Sequence, residues 1–248
     1  MQRMLFLLAF GCMIMACNNN NQSTITNFKS IEVKYPVTKK DSTVKDNYFG
    51  TIVGDPYRWL EDDTSKETTD WVKAENAVTQ QYLSQIPFRD AIKKRYASIY
   101  NYEKYSAPFK EGNYTYYYKN SGLQNQSVIY REMAGNTSPE VFLDPNTFSK
   151  DGTTSLAGIA FSKDGSMAAY NISEGGSDWQ KLVVMDAVSK KQTGDSIELK
   201  FSGASWKGND GFYYSNYERP KEGNVLTAKN ENHKYCNRNH HYPSNWRR

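Results

Sequence analysis

Hydrolysis through a serine needs that side chain on a tight strand-to-helix elbow, usually within Gly-x-Ser-x-Gly, with an acid and an imidazole elsewhere in the chain. The string Gly203-Ala204-Ser205-Trp206-Lys207 comes nearest, but it lacks the second glycine and no helical pattern follows it. A turn or a strand is the ordinary reading of Ser205. The three histidines, His233, His240 and His241, all lie near the C-terminal end, so the body of the chain offers no imidazole general base. Cys236, His240 and His241 do not have the spacing of zinc ligands. Glu61, Asp62 and Asp63 are adjacent on one stretch, so they point in different directions; a solvated turn and helix start explains them better than an acid/base pair. Gly175-Gly176 precedes Ser177-Asp178-Trp179, with neither a phosphate-binding lysine nor a helix after it. The chain is therefore expected to hold no catalytic residue, no cofactor and no metal ion.

The elements that would position any site come in two kinds. Between Tyr35 and Asn101 an extended stretch punctuated by Pro and Gly leads into two amphipathic helical segments. The first has Thr64 and Glu67 at capping-box spacing, followed by Trp71, Val72, Val78, Tyr82 and Leu83 largely on one face. The second opens near Pro87 and carries Ile92, Tyr96 and Ile99 at i, i+4 and i+7. After Tyr102 the period becomes two. Strands are predicted at Tyr105–Lys110, Tyr114–Lys119, Ser127–Met133, Glu140–Leu143, Leu156–Phe161, Met167–Ile172, Lys181–Asp186 and Phe212–Tyr217, separated by turns that carry glycine.

One unit recurs: an aromatic residue, a Gly turn, then a strand rich in Tyr or small residues. Phe109 precedes Gly112 and the Tyr114 cluster, Phe161 precedes Gly165 and Tyr170, and Trp206 precedes Gly211 and Tyr213. The copies are about 45 to 52 residues apart, near the length of a four-stranded propeller blade. A β-propeller is the favoured architecture, with a β-sandwich of irregular hairpins as the alternative. The strand-rich stretch holds about three blades, and a closed ring usually needs about four to eight, so the ring would be open.

The two ends are of different composition. Gln2 and Arg3, an apolar run from Met4 to Met15, and then Ala16-Cys17 read as an export signal over residues 1–16. The run is too short to span a bilayer, which takes about 20 residues. Ala16 before Cys17, with Ile14 two positions earlier, resembles the bacterial lipobox, in which the cysteine is lipidated. Ordinary secretion with cleavage near Ala16 is the alternative. Residues 17–34 begin with a polar Asn-, Gln-, Ser- and Thr-rich run and read as a flexible tether. With Cys12 in the signal and Cys17 lipidated, Cys236 is left alone and no intrachain disulfide forms. A formal charge of +4 with no basic run or stripe argues against nucleic-acid binding, while 38% hydrophobic and 14% aromatic residues suffice for a packed core.

Several blocks in order carry a family resemblance. They are Asp55-Pro56-Tyr57-Arg58-Trp59-Leu60-Glu61-Asp62 with Trp71, Val72 and Ala74-Glu75-Asn76; Tyr102-Glu103-Lys104-Tyr105-Ser106; Gly122-Leu123-Gln124-Asn125-Gln126 with Val128 and Tyr130; Leu143-Asp144-Pro145-Asn146; Phe161-Ser162-Lys163-Asp164-Gly165; and Gly176-Ser177-Asp178-Trp179. From Tyr35 to about Lys234 the chain resembles the front part of a prolyl oligopeptidase, in its lipoprotein-type bacterial form. The resemblance implies a mainly β fold: part of a seven-bladed β-propeller, about three blades over residues 102–234. An α-helical arm of an α/β-hydrolase domain, residues 35–101, would precede it. It also implies a serine endopeptidase that cuts short proline-containing peptides after proline, with the propeller as a filter and the missing Ser, Asp and His on an absent C-terminal hydrolase domain.

One binding residue carries across. Phe201 stands where the family places an aromatic side chain that lines the substrate pocket; the ordinary alternative is a strand residue buried between blades. Residues 235–248 change composition abruptly, as a shifted or prematurely ended reading frame would make them, and read as an aberrant or disordered tail. The resulting expectation is an exported fragment in the periplasm or outer membrane, lipid-anchored at Cys17 and inactive by itself. The competing reading is a propeller-type surface lipoprotein that binds peptide or protein without catalysis. The Asp55–Asp62 segment favours the first, since a pure binding propeller has no need of a hydrolase-domain arm.

Overall fold

The computed structural model describes residues 30–136, 138–220, 228 and 230–239. The arm opens with a two-stranded antiparallel hairpin, β1 (Lys45–Tyr48) and β2 (Thr51–Gly54), then a 3-10 turn over Arg58–Glu61, and the helices α1 (Lys66–Ser84) and α2 (Arg89–Tyr100). The Asp55–Asp62 block earns its place structurally. Arg58 donates to Asp55 Oδ2 at 3.1 Å and forms a two-pronged pair with the Asp46 carboxylate on β1, tying the turn to the hairpin. That pairing holds the Asp46 carboxyl below its usual range and raises Arg58 above its own.

Trp59 and Trp71 meet edge to face at 6.4 Å. Each indole N–H is used: Trp59 donates to the Lys39 carbonyl at 3.1 Å and Trp71 to the Thr38 hydroxyl at 3.0 Å. Both tryptophans are thus half-buried on the arm's own extended stretch, whereas Tyr82, Ile92, Tyr96 and Ile99 are exposed.

Two helix starts differ from the pattern reading. Ser65, not Thr64, caps α1 by accepting from the Thr68 N–H at 3.1 Å. Thr64 instead gives its hydroxyl to Asp62, and Glu67 pairs with Lys39 at 3.0 Å, so neither is free to close a capping box. Pro87 stands before the cap residue Phe88 and outside α2. Among the described residues no helix is long and apolar enough to cross a membrane.

Three antiparallel sheets follow. The first contains β3 (Lys104–Tyr105), β4 (Phe109–Glu111), β5 (Tyr114–Asn120), β6 (Val128–Met133) and β7 (Glu140–Leu143). The expected Tyr105–Lys110 strand is split into β3 and β4, which pair with opposite ends of β5. Between them lies Pro108, which has no N–H to give a ladder. The second sheet is a four-stranded meander of β8 (Thr154–Phe161), β9 (Met167–Glu174), β10 (Trp179–Asp186) and β11 (Gln192–Lys200).

β11 is not anticipated by the alternation. Gly194 at φ 86° sits in a register shift where Val183 faces Ser196 but Met185 faces Gln192, so turn-like residues are absorbed as a bulge inside a strand. The third sheet holds β12 (Ser205–Lys207), β13 (Gly211–Asn216) and β14 (Lys234–Asn239). β14 runs five residues into the stretch expected to lack strand character; Asn216 to Gly211 on β13 pair with it in register. The rest of that tail lies outside the described residues, as do the proposed signal and Cys17.

The sheets stack face on face. Tyr116, Ile129 and Phe142 of the first pack on Ala168, Tyr170, Val183 and Met185 of the second. From the opposite face of that second sheet, Met167, Ala169, Leu182, Val184, Ile197 and Leu199 pack on Phe212 and Tyr214 of the third. Burial on both faces explains why Met167-Ala168-Ala169-Tyr170 and Leu182-Val183-Val184-Met185 are continuous apolar runs rather than alternating ones. A middle sheet buried on both faces belongs to a stack of blades. A two-sheet sandwich would have one interior layer.

Polar stitches fix the stack. Gln126 of the Gly122–Gln126 block accepts from the Leu156 N–H at 2.9 Å and donates to the Thr154 carbonyl at 2.8 Å, while Asn146 exchanges two bonds of 2.9 Å with its backbone. Two of the sequence blocks thereby converge on one junction between the first and second sheets. Trp206 of the third sheet donates to the Ala160 carbonyl of the second at 3.0 Å.

Candidate functional site

No described serine is set up as a nucleophile. Ser205 opens β12, pairs with Tyr213 and is exposed, and the strand runs on into the Gly208–Asp210 turn rather than a helix. His233 is stacked on Tyr217 at 4.6 Å and lies 5.8 Å from Tyr235, a packing partner of aromatic rings. Cys236 packs against the second core beside Tyr214, whose phenol is pushed up by burial first and by that thiol second. Among the described residues no group of His, Cys, Asp and Glu could hold a metal, and His240 and His241 lie outside them. Asp62 accepts from the Thr64 N–H at 3.1 Å, a turn contact of the kind expected for the acidic run.

Phe201 is the sequence-derived binding residue that the structure places where a ligand could reach it. It follows the last residue of β11, is 60% exposed, and so is not a strand residue buried between blades. Its backbone is left-handed, φ 57°, a conformation that costs a non-glycine residue about 1–2 kcal/mol. Its neighbours hold it there. Lys200 donates its N–H to Asn216 Oδ1 at 3.2 Å, and the Ser202 carbonyl accepts from Asn171 Nδ2 at 2.8 Å. The Ser202 hydroxyl also accepts from the Ser215 N–H at 2.9 Å. The strained turn swings the Phe201 ring outward, where it meets Tyr217 edge to face at 6.4 Å.

The ring borders an open cleft of about 460 Å³ whose lining includes Gly158, Ala160, Asn171, Ser202 and Gly203. A second cleft of about 240 Å³ lies beside Trp179, Glu198 and Arg219. Small residues, one outward aromatic ring and fixed amide groups make a surface that can seat an extended peptide through apolar contact and backbone hydrogen bonds. They cannot break a bond. Trp179 borders the second cleft and carries no signal in the periodicity; it stands out only as part of the Gly176–Trp179 block.

Comparison with known proteins gives a consistent result. Residues 36–239 match the family described as prolyl oligopeptidase, N-terminal β-propeller domain. A prolyl endopeptidase of Elizabethkingia meningoseptica is 58% identical over 204 residues, 82% of this chain and 28% of the relative. One from Elizabethkingia miricola is 56% identical over 206 residues, 83% of this chain and 29% of the relative. Among solved structures, one from a structural and mechanistic analysis of two prolyl endopeptidases superposes with a TM-score of 0.71 at 29% identity, over 84% of this chain and 31% of its own. Prolyl oligopeptidase B from Galerina marginata, bound to a 35mer hydrolysis and macrocyclization substrate, gives 0.67 at 27% identity, over 86% and 33%. The chain thus spans less than a third of the length of the curated relatives it matches.

Proposed function

The chain belongs to the prolyl oligopeptidase family, and from that premise we propose that it is the arm and opening blades of a proline-specific serine endopeptidase that hydrolyses short peptides after proline. The match is to the N-terminal propeller domain and spans 28% of the relative, so the proposal assigns the chemistry to a catalytic domain outside these residues. In the proposal that domain supplies the serine that attacks the carbonyl after proline, the histidine that moves the proton and the aspartate that holds the imidazole. These residues supply part of a seven-bladed filter and an arm of the hydrolase domain, and are inactive alone. The observation that carries the reading is the joint presence of an Arg58-anchored arm and stacked antiparallel sheets in a chain 58% identical to a prolyl endopeptidase. A binding-only propeller gives no reason for that arm.

Within this reading Phe201 contacts the peptide beyond the proline. The same proposal includes export and lipidation at Cys17, supported by the apolar run and Ala16-Cys17. Metabolic labelling with a radioactive fatty acid tests it, with loss of label in Cys17→Ser as the expected result and unlabelled protein as the refuting one. Hydrolysis of a Gly-Pro chromogenic peptide tests the function. The purified chain is compared with the same chain extended by the C-terminal remainder of the Elizabethkingia meningoseptica relative. Activity confined to the extended protein is the expected outcome; activity in the chain alone would overturn the assignment of all chemistry to the other domain. In the extended protein Phe201→Ala is expected to raise KM several-fold while leaving kcat nearly unchanged, the signature of lost ground-state binding.

A further inference from the structure

Asn171 on β9 is 7% exposed, and its carboxamide is held from two sides. Its Nδ2 donates to the Ser202 carbonyl at 2.8 Å and to Gln180 Oε1 on β10 at 2.8 Å. A carbonyl only accepts, so the bond to Ser202 fixes the nitrogen toward the residue after Phe201, and the two bonds use both of its hydrogens. The orientation of Gln180 follows, because the oxygen that meets Asn171 leaves the Gln180 nitrogen directed elsewhere. Among the described residues neither Asn171 Oδ1 nor Gln180 Nε2 has a hydrogen-bond partner, and neither is sealed from solvent.

Both residues line the 460 Å³ cleft that Phe201 borders. They also share a face of the second sheet: Asn171 stands opposite Leu182, and Gln180, two positions before Leu182 on the same strand, points the same way. The ground in front of them is bare. Gly158 lies opposite Asn171 on β8, and a β-carbon there would meet no heavy atom within 4 Å. One on Gly203 would meet only the Asn171 carboxamide, 3.9 Å from Nδ2 and 4.0 Å from Oδ1. The cleft thus offers an oriented acceptor and an oriented donor as neighbours. A single residue of an extended chain presents its own N–H and C=O along one edge, as a hydrogen-bonded pair in an antiparallel ladder does. That is the complement of the two free atoms, and neither an ion nor an apolar side chain supplies it.

We propose that Asn171 and Gln180 read the backbone of the bound peptide, one residue of which gives its N–H to Asn171 Oδ1 and takes a hydrogen bond from Gln180 Nε2 on its carbonyl. This rests on the reading of Phe201 as a peptide-contacting residue. The carboxamide that ties down Ser202, and with it the outward Phe201 ring, is the same one that takes the peptide N–H. Recognition at this point depends on an extended backbone and not on which side chain the residue carries.

The test titrates the chain with acetyl-Ala-Gly-Pro-amide, with two esters in which lactate replaces Ala or glycolate replaces Gly, and with acetamide. Each ester deletes one N–H without adding bulk. Binding is followed through the side-chain amide resonances of Asn171 and Gln180, each assigned by its loss in Asn171→Ser or Gln180→Met. One ester is expected to bind roughly tenfold more weakly than the parent peptide, the size of one hydrogen bond left unmade, and the other to bind like the parent. Gln180→Met, which keeps the length of the side chain without its donor, should weaken the parent peptide several-fold and preserve the difference between the esters, since Asn171 stays tied to Ser202. Phe201→Ala should weaken all three peptides alike. Equal binding of the parent and both esters, or an equal loss in both esters, would overturn the backbone pair, while weakening by Phe201→Ala would leave the Phe201 reading in place. Discrimination between the esters with no effect of Phe201→Ala would keep the pair and overturn the Phe201 reading. A response to acetamide with no peptide binding would overturn the backbone as the occupant, and no response to any ligand would overturn the proposal outright.

Discussion

Replacing Gly165 by alanine probes how one blade holds the next. Gly165 has φ 71°, so a β-carbon first costs about 1–2 kcal/mol for the left-handed backbone. That carbon would also stand 2.5 Å from the Gly112 nitrogen, 2.7 Å from the Glu111 carbonyl carbon and 2.8 Å from the Gly112 α-carbon. All three belong to the backbone of the first sheet's turn and cannot rotate away, so the sheets must part; overpacking of this kind costs about 1–3 kcal/mol. The expected loss is about 2–5 kcal/mol. Gly175→Ala is the control, because its φ of 57° carries the same conformational cost but no heavy atom lies within 4 Å. Urea unfolding followed by tryptophan fluorescence at low protein concentration measures both, with the denaturant slope as a check that the end states are unchanged. Gly112→Ala should resemble Gly165→Ala. The double variant should cost less than the sum, since one contact is broken twice. Equal losses for Gly165→Ala and Gly175→Ala would refute the interlocked turns as the source of the effect.

Other consequences follow from the same junctions. Arg131→Leu leaves the Ala187 and Val188 carbonyls without their donor and should cost about 3–5 kcal/mol, measured in the same titration; a loss under about 1 kcal/mol would mean that water serves those carbonyls instead. The Asp164 carboxyl is held below its usual range, chiefly by the Ser166 N–H and then by the Ser166 and Ser162 hydroxyls. Its stabilisation is therefore complete above the ordinary aspartate pKa of about 4 and is lost as pH falls through the lower folded value. Asp164→Asn should cost about 1 kcal/mol at neutral pH, and the gap should close in acid. A gap that widened toward low pH would reverse the sign and sink the assignment. The exposed Tyr82, Ile92, Tyr96 and Ile99 on the arm helices should drive concentration-dependent association, visible by sedimentation velocity; a single monomeric species at every concentration would contradict it.

What the sequence makes legible is what a side chain does to its own strand. The Tyr114–Tyr118 run reads as a strand because alternate members face opposite ways: Tyr116 into the first core, Tyr117 outward to stack on Tyr130 at 5.8 Å. Glu140–Leu143 is legible to the residue. Illegible are features settled between strands. Gly194 reads as a turn, yet it is a bulge because β10 on one side fixes where β11 must pair. Cys236 to Asn239 show no alternation, yet they form a strand because β13 presents an unfilled ladder. At the candidate site, Phe201 is legible through the family blocks, but its exposure depends on Asn171, Ser215 and Asn216, which lie on two other strands.

The stacking carries a further consequence for how such a chain can work. A middle sheet with no polar face is stable only between two others, and here β9 and β10 have that character. The outer face of the first sheet carries Tyr105, Tyr117 and Tyr130, the first 56% exposed. Meanwhile the Gly112–Gly165 contact and the bonds from Lys163 N–H to Gly208 O at 3.1 Å and from Asp164 N–H to Asn209 at 3.0 Å link the three equivalent turns at one rim. Sheets tied turn to turn at one rim can open at the other by hinging about those turns, since apolar faces resist separation less sharply than backbone packed at van der Waals distance resists compression. Phe201 and its cleft therefore sit on an assembly whose spacing is set at the rim. A change at Gly165 should for that reason be felt in peptide affinity at Phe201 as well as in stability, even though the two residues share no contact.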